Sequence, residues 1–238
     1  MEKLATGLEK LGIKAGEREL ALFQIYYEEL TDWNQRMNLT AITEYEKVQT
    51  LHFLDSLTVA SIWRPTDQKP HPKVIDIGTG AGVPGIPLKI IFPQIRLTLM
   101  DSTNKKITFL NNLKQKLGLN DIEVISGRAE ELAHQQYRES YDLVLARGLA
   151  PMPTLAEITI PFCKIAGKAI LHKKGDIAEE MNKAKRAITT MGGKLIEIKP
   201  VELNEFQDNR VLVVIEKIAP TPDIYPRGQG LPIKRPIV

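Results

Sequence analysis

The chain has 238 residues, a formal net charge of +3 and a hydrophobic fraction of 43 %, enough to fold around a proper core. Its single cysteine, Cys163, excludes an intramolecular disulfide and a cysteine-built metal site and suits a reducing compartment. No signal-peptide core opens the chain, and no run approaches the roughly 18 apolar residues of a membrane span. The expectation is a soluble, cytoplasmic protein with no membrane partner. Residues 1–70 carry 8 basic and 11 acidic side chains, and the remainder 24 and 18. The larger part is therefore the basic one, which suits either an anionic partner such as nucleic acid or simply a solvated basic surface.

In chain order, the segment before residue 70 reads as helices. Within ERELALFQIYYEELTDWNQ, Leu20, Phe23, Tyr27 and Leu30 recur at helical spacing, with Ile25 flanking the stripe. TEYEKVQTLHFLDSLTVASIW repeats the pattern, and Thr43 and Glu46 offer a capping box. RPTDQKPHP then gathers three prolines and marks a boundary. From Lys73 strands and helices alternate. KVIDIG, RLTLMD, IEVISG, YDLVLA and GKAILHKKG read as strands. PGIPLKIIF, NKKITFLNNLKQKLG, MPTLAEITIPF and IAEEMNKAKRAITTM read as helices, with Gly118 stopping the second and Gly192 and Gly193 closing the last. KLIEIKPVEL and NRVLVVIEKI end the series as two more strands. The short NEFQD between them leaves no room for a helical crossover, so they pair antiparallel.

The pattern predicts an α/β fold with a seven-stranded, Rossmann-like sheet covered on both faces, its last strand inserted antiparallel. The expected organisation is a helical extension over 1–70, the α/β domain over 71–219, and a basic, proline-rich tail over 220–238. The tail is expected to be extended or poorly ordered.

Ligands of such sheets sit at the carboxyl ends of the strands. Asp76 ends the first strand, and Gly78, Gly80 and Gly82 follow. A triphosphate loop would need a lysine after the glycines, and none comes before Lys89. In a dinucleotide loop the third glycine falls on Val83, so that pattern fails, and Pro84 and Pro87 remove backbone donors. S-adenosylmethionine suits the loop better, because its cationic sulfonium tolerates an acid such as Asp76. Asp101, at the end of the second strand, can accept hydrogen bonds from ribose hydroxyls, though dinucleotide folds place an acid similarly. Glu130 and the nearby backbone can meet the adenine edge, or Glu130 can simply cap a helix.

The fourth strand ends in LVLARGLAP. It lacks the Asn/Asp-Pro-Pro-Tyr/Phe segment with which amine-methylating enzymes clamp a base. Cys163 lies well past this strand, in IPFCKIAG, and reads as a small buried hydrophobe, not a nucleophile. What remains at the mouth is Arg147, able to bond guanine O6 or the methionine carboxylate. Guanine N7 is a lone-pair nucleophile that loses no proton on methylation, so Arg147 would position and no general base is expected. Lys173 and Lys174 either hold phosphates or are solvated.

WNQRMNLT, HFLDSL, DIGTGAGVPGIPLKI, DSTNKK, GRAEEL and YPRGQGLP occur in that order. Over nearly the whole chain they resemble the bacterial 16S ribosomal RNA guanine-N7 methyltransferases known as RsmG or GidB. The resemblance implies a class I S-adenosylmethionine-dependent methyltransferase fold and that cofactor. It also implies rRNA methylation at N7 of one guanine near the decoding region, with 16S ribosomal RNA or the small ribosomal subunit as partner. Naked RNA and the assembled subunit both stand as acceptors, and a monomer suffices. Carried over by residue, the cofactor contacts are Gly78, Val83, Ala129, Glu130 and Arg147, with Asp101, Ser102 and Thr103 extending the wall. Val83 stands where the family usually has Phe, and Gly148-Leu149-Ala150 where it usually reads Ala-Val-Ala. Trp33, Asn34, Asn38, His52 and Asp55 fall where helices can cover the pocket, and His52 and Asp55 share a helix face. An orienting or packing role is expected for that pair. Arg227, Lys234 and Arg235 in the tail are candidates for RNA phosphates. Two rivals stand beside this reading: the same fold acting on a small molecule or protein, and a non-enzymatic RNA-binding module with a vestigial pocket.

Overall fold

Seven strands in the order β3-β2-β1-β4-β5-β7-β6 form one sheet in the computed structural model, which describes residues 1–238. Before the sheet come α1 (Glu2–Lys10) and α2 (Glu17–Met37), then an unbroken helical stretch of α3 (Tyr45–Val48), a π-helical turn (Gln49–Leu54), α4 (Asp55–Leu57) and a 3-10 turn (Thr58–Ser61). β1 (Lys73–Ile77), α5 (Gly85–Ile91), β2 (Arg96–Asp101), α6 (Asn104–Lys116), β3 (Ile122–Ser126) and α7 (Ala129–Leu132) make the first half of the sheet. β4 (Tyr141–Arg147), α8 (Met152–Thr159), β5 (Cys163–Lys174), α9 (Ala178–Thr190), β6 (Gly193–Pro200) and β7 (Arg210–Lys217) make the second, and α10 (Leu231–Lys234) follows. β1 to β5 pair in parallel, and β7 runs antiparallel between β5 and β6. This is the arrangement that the apolar runs and the short β6–β7 gap predict.

Successive side chains of a strand point to opposite faces, and here that alternation sorts the core into two layers. Val74, Leu97, Leu99, Leu143, Leu145, Ile170 and Leu212 pack under α1, α2, the π-helical stretch, α5 and α6. Ile75, Ile77, Met100, Val144, Ala146, Leu171 and Val213 pack under α8 and α9. The N-terminal helices thus share a core with the sheet: Leu4, Leu8, Phe23 and Phe53 belong to the same cluster as Val74 and Leu99.

Three expectations are corrected. In α2 the buried line is Phe23, Tyr26 and Leu30, not Tyr27. Both tyrosines satisfy the helical spacing, and the aromatic contact of Tyr26 with Phe53 (4.9 Å between ring centroids) decides which turns inward. The capping box of Thr43 and Glu46 does not form: α3 starts from Glu44 without a side-chain cap, and Glu46 pairs with Lys3 at 2.5 Å. Finally, residues 220–238 are not loose. They are docked on α8 and on the turns that follow α7 by hydrogen bonds from Arg138 to Thr221 and Tyr225 (2.7 and 2.8 Å) and from Thr154 to Pro232 (2.9 Å).

Candidate active site

The glycine loop leaves β1 at Ile77 and enters α5 at Gly85. Gly78, Gly80 and Gly82 all have positive φ, a region that side chains disfavour. Gly82 also has no room for one: a Cβ there would lie 2.6 Å from Ile86 and 2.9 Å from the Tyr26 hydroxyl. That hydroxyl, brought by α2, donates to the Ala81 carbonyl at 2.5 Å. Asp76 braces the loop from below, its Oδ2 accepting from the Thr79 hydroxyl (2.6 Å) and the Gly85 N–H (2.9 Å). Burial pushes the Asp76 carboxyl up to about 6, and its Oδ1 has no partner.

Beside the loop lies a cavity of about 240 Å³. Gly78, Asp101, Ser102, Thr103, Ala129 and Glu130 line it, as do Leu149, Thr154, Ile158 and Ile233. Asp101 accepts from the N–H groups of Gly80 (3.0 Å) and Thr103 (2.9 Å) and from Lys106 (3.2 Å). A carboxylate has about four acceptor positions, so a hydroxyl can still be received. The donor set fits S-adenosylmethionine: apolar walls for a purine, two carboxylates for hydroxyl and amine hydrogens, and a glycine turn for close approach.

Four residues expected at the cofactor do not line this cavity, and for three of them strand parity or loop packing is the reason. Asp76 shares the parity of Val74, so it points under the loop toward α5 and is fully buried. Arg147 shares the parity of Leu143 and Leu145, which sends it to the face covered by the N-terminal helices. Val83 is packed in the core beneath the loop, so the position usually held by Phe does not face the cavity. Gly80 contributes a backbone bond to Asp101 but lines neither this cavity nor its neighbour.

The neighbouring cavity, about 400 Å³, meets the first at Gly148 and Ala150. Arg147, His172 and Arg210, from three strands but of one parity, reach into it together with Lys173 and Lys174. Asp55 ties them together. Its Oδ2 accepts from Arg147 at 2.6 Å, its Oδ1 from Arg210 at 2.7 Å, and its carbonyl meets His172 Nε2 at 3.1 Å. Arg147 also donates to the Leu51 carbonyl within the π-helical turn and to His52 Nδ1, both at 2.8 Å. His52 must then carry its proton on Nε2, which faces the Thr40 hydroxyl at 2.9 Å. Burial pushes both His52 and His172 down to about 4, so both are neutral near pH 7. Burial opposes ionisation of Asp55 as well, but the positive charges packed round it hold the carboxyl below its usual range. With His172 neutral, those charges are the two guanidiniums. The expected orienting role of His52 and Asp55 takes this concrete form.

The basic candidates are dispersed. Lys173 pairs with Glu180 at 2.6 Å, and the more exposed Lys174 with Asp208 at 2.9 Å. Arg227 is committed to the buried Glu157 at 2.7 Å, which removes it from the open phosphate-binding surface, while Lys234 and Arg235 are exposed. Residues that motif reading missed are Arg210, His172, Leu149 and Ile233. The parity of β5 and β7 relative to Arg147 could have pointed to the first two. Cavity size alone would have misled: a larger cavity, about 570 Å³, lies at the opposite ends of the strands around Lys73, Arg96 and Tyr141.

Sheet order, glycine loop and acid-ended β2 together define a class I S-adenosylmethionine-dependent methyltransferase. The same fold is found in the crystal structure of a SAM dependent methyltransferase from Aquifex aeolicus (TM-score 0.55, 13 % identity, 74 % of this chain and 94 % of that chain). The family model for rRNA small subunit methyltransferase G, GidB, matches residues 19–210, and the chain belongs to that family. Relatives called Ribosomal RNA small subunit methyltransferase G are 48 % identical in Dehalococcoides mccartyi, over 100 % of both chains, and 43 % identical in Alkaliphilus metalliredigens, over 98 % of this chain and 97 % of the relative.

Proposed function

We propose that the protein methylates N7 of one guanine in the 16S ribosomal RNA of the small subunit, using S-adenosylmethionine. Family membership supports the reaction class and the RNA. One observation supports the atom: the cavity beside the cofactor wall holds no free base. Asp55 has both oxygens on guanidiniums, His52 has both nitrogens engaged, and His172 Nδ1 is sealed from solvent. Methylating an exocyclic amine releases a proton that must be taken up, whereas N7 attacks with a lone pair and releases none.

When bound, S-adenosylmethionine supplies an electrophilic methyl group on a positively charged sulfur. The chain's part is alignment and exclusion of water. Asp101 and Glu130 are assigned to the cofactor's polar edges, and Gly78 to the close approach of backbone. Arg147, held rigid by Asp55, Leu51 and His52, is assigned to orienting the base through its acceptor edge. Lys174, Lys234 and Arg235 are assigned to phosphates. In this reading 71–219 is the methyltransferase domain, 1–70 closes the base side, and the protein acts as a cytoplasmic monomer.

The test is transfer of labelled methyl to 16S RNA and to 30S particles, with cleavage chemistry specific for N7-methylguanine. One modified guanine is expected. No incorporation into either acceptor, with cofactor binding intact, would move the substrate to another class of molecule. Asp101→Ala should weaken cofactor binding about tenfold or more, the loss of a charge-assisted hydrogen bond. An unchanged dissociation constant in equilibrium dialysis would end the ribose assignment.

A further inference from the structure

The C-terminal segment is pinned at a point that core packing does not require. Glu157 on α8 is fully buried, a costly place for a carboxylate unless it is paired. All its bonds go to one residue of the segment: Oε1 accepts from the Arg227 main-chain N–H (2.8 Å) and Nε (2.9 Å), and Oε2 from its terminal nitrogen (2.7 Å). The same guanidinium donates to the Arg235 carbonyl at 2.7 Å, which closes residues 227–235 into a loop. Gly230 N–H then donates to Glu130 at 3.1 Å and Thr154 to Pro232 at 2.9 Å. Both Glu130 and Thr154 line the cofactor cavity.

The result of this fastening is that Ile233 lines that cavity while remaining 65 % exposed. Leu149, across Gly78, is 37 % exposed and lines it too. Large apolar side chains left open around a cavity are surfaces that a ligand covers. Of the parts of S-adenosylmethionine, only the flat adenine suits an isoleucine, since the methionine end carries charges.

We propose that the C-terminal strap is a wall of the cofactor site, with Glu157 and Arg227 as positioning residues and Ile233 as a cofactor contact over the adenine. This rests on the cofactor reading above. It adds residues that no glycine-loop argument reaches, because Glu157 lies on a later helix, and Arg227 and Ile233 lie more than a hundred positions further along the chain.

Calorimetric titration of the full-length protein tests it, with S-adenosylmethionine and with methylthioadenosine, which keeps the adenine and lacks the amino acid. Ile233→Asp should weaken both about tenfold, the loss of one covered apolar side chain. Its melting temperature without ligand should match the wild type, since the side chain is mostly exposed, and Ile233→Leu should restore affinity. Glu157→Gln should weaken both ligands in the same direction and expose residues 220–238 to limited proteolysis. Wild-type binding with unaltered affinity in Ile233→Asp overturns the strap. Absence of binding by the wild type overturns the cofactor reading itself and the strap with it.

Discussion

The two adjoining cavities are built in opposite ways. The cavity beside the glycine loop is shaped by backbone: positive-φ glycines, N–H groups turned onto Asp101, and apolar walls. The neighbouring cavity is shaped by locked charged side chains, and its two guanidiniums, Arg147 and Arg210, are both held by Asp55 from the N-terminal helices. A cavity of the first kind can be read from a motif, because its parts are contiguous. One of the second kind exists only once the N-terminal helices and the sheet have packed. The comparison also explains why Asp76 and Arg147, both near strand ends, serve different ends: one braces a loop and the other faces the neighbouring cavity.

Removing the hub should separate the two cavities most sharply. Asp55→Ala leaves the adjacent Arg147 without a carboxylate partner and the nearly inaccessible Arg210 with Asp208 alone. We expect a loss of about 3–5 kcal/mol in urea unfolding; a loss below about 1 kcal/mol would mean that water reaches these guanidiniums. Arg147→Ala leaves Asp55 paired with Arg210. It should lower kcat/KM on 30S particles about 100-fold or more while the cofactor dissociation constant stays within about twofold. A matching loss of cofactor affinity would return Arg147 to the cofactor wall.

Titration gives the two histidines beside the neighbouring cavity and the carboxylate that braces the glycine loop opposite pH signatures. The His52 and His172 imidazoles, down to about 4 from 6.5, take up protons only in the unfolded chain through that window. Stability from them is full above pH 6.5 and is lost as pH falls toward 4. Asp76 is raised from 3.8 to about 6, so the folded chain holds the extra proton and stability falls as pH rises through that range. His172→Gln should flatten the rise in stability between pH 4 and 6.5, and Asp76→Asn should steepen it, each by about 1–2 kcal/mol in urea titrations at several pH values. No change in slope for either variant would remove the contrast. The smallest effect belongs to the rim. Lys174→Ala should weaken binding to small-subunit RNA several-fold and reduce the salt slope by about 1. An unchanged slope would mean that Lys174 serves only Asp208.

Much of the fold was legible in the amino-acid order. The apolar runs, the proline boundary and the short gap before β7 determined the element order and the antiparallel insertion, because strand burial and connection length are local quantities. The cavity lining at Gly78, Asp101, Ser102, Thr103, Ala129 and Glu130 was legible for the same reason: each lies at the carboxyl end of a strand or in the few residues that follow it. Only the tertiary structure decided that Tyr26 turns inward, that Arg147 faces the N-terminal helices, and that Arg227 is held by Glu157 instead of facing open solvent. It also brought Asp55, Arg147, His172 and Arg210 to one point. These contacts join residues that are far apart in the chain, and side-chain spacing alone cannot choose between two faces that satisfy it equally. Packing chooses, by burying one face and supplying each buried charge with a partner.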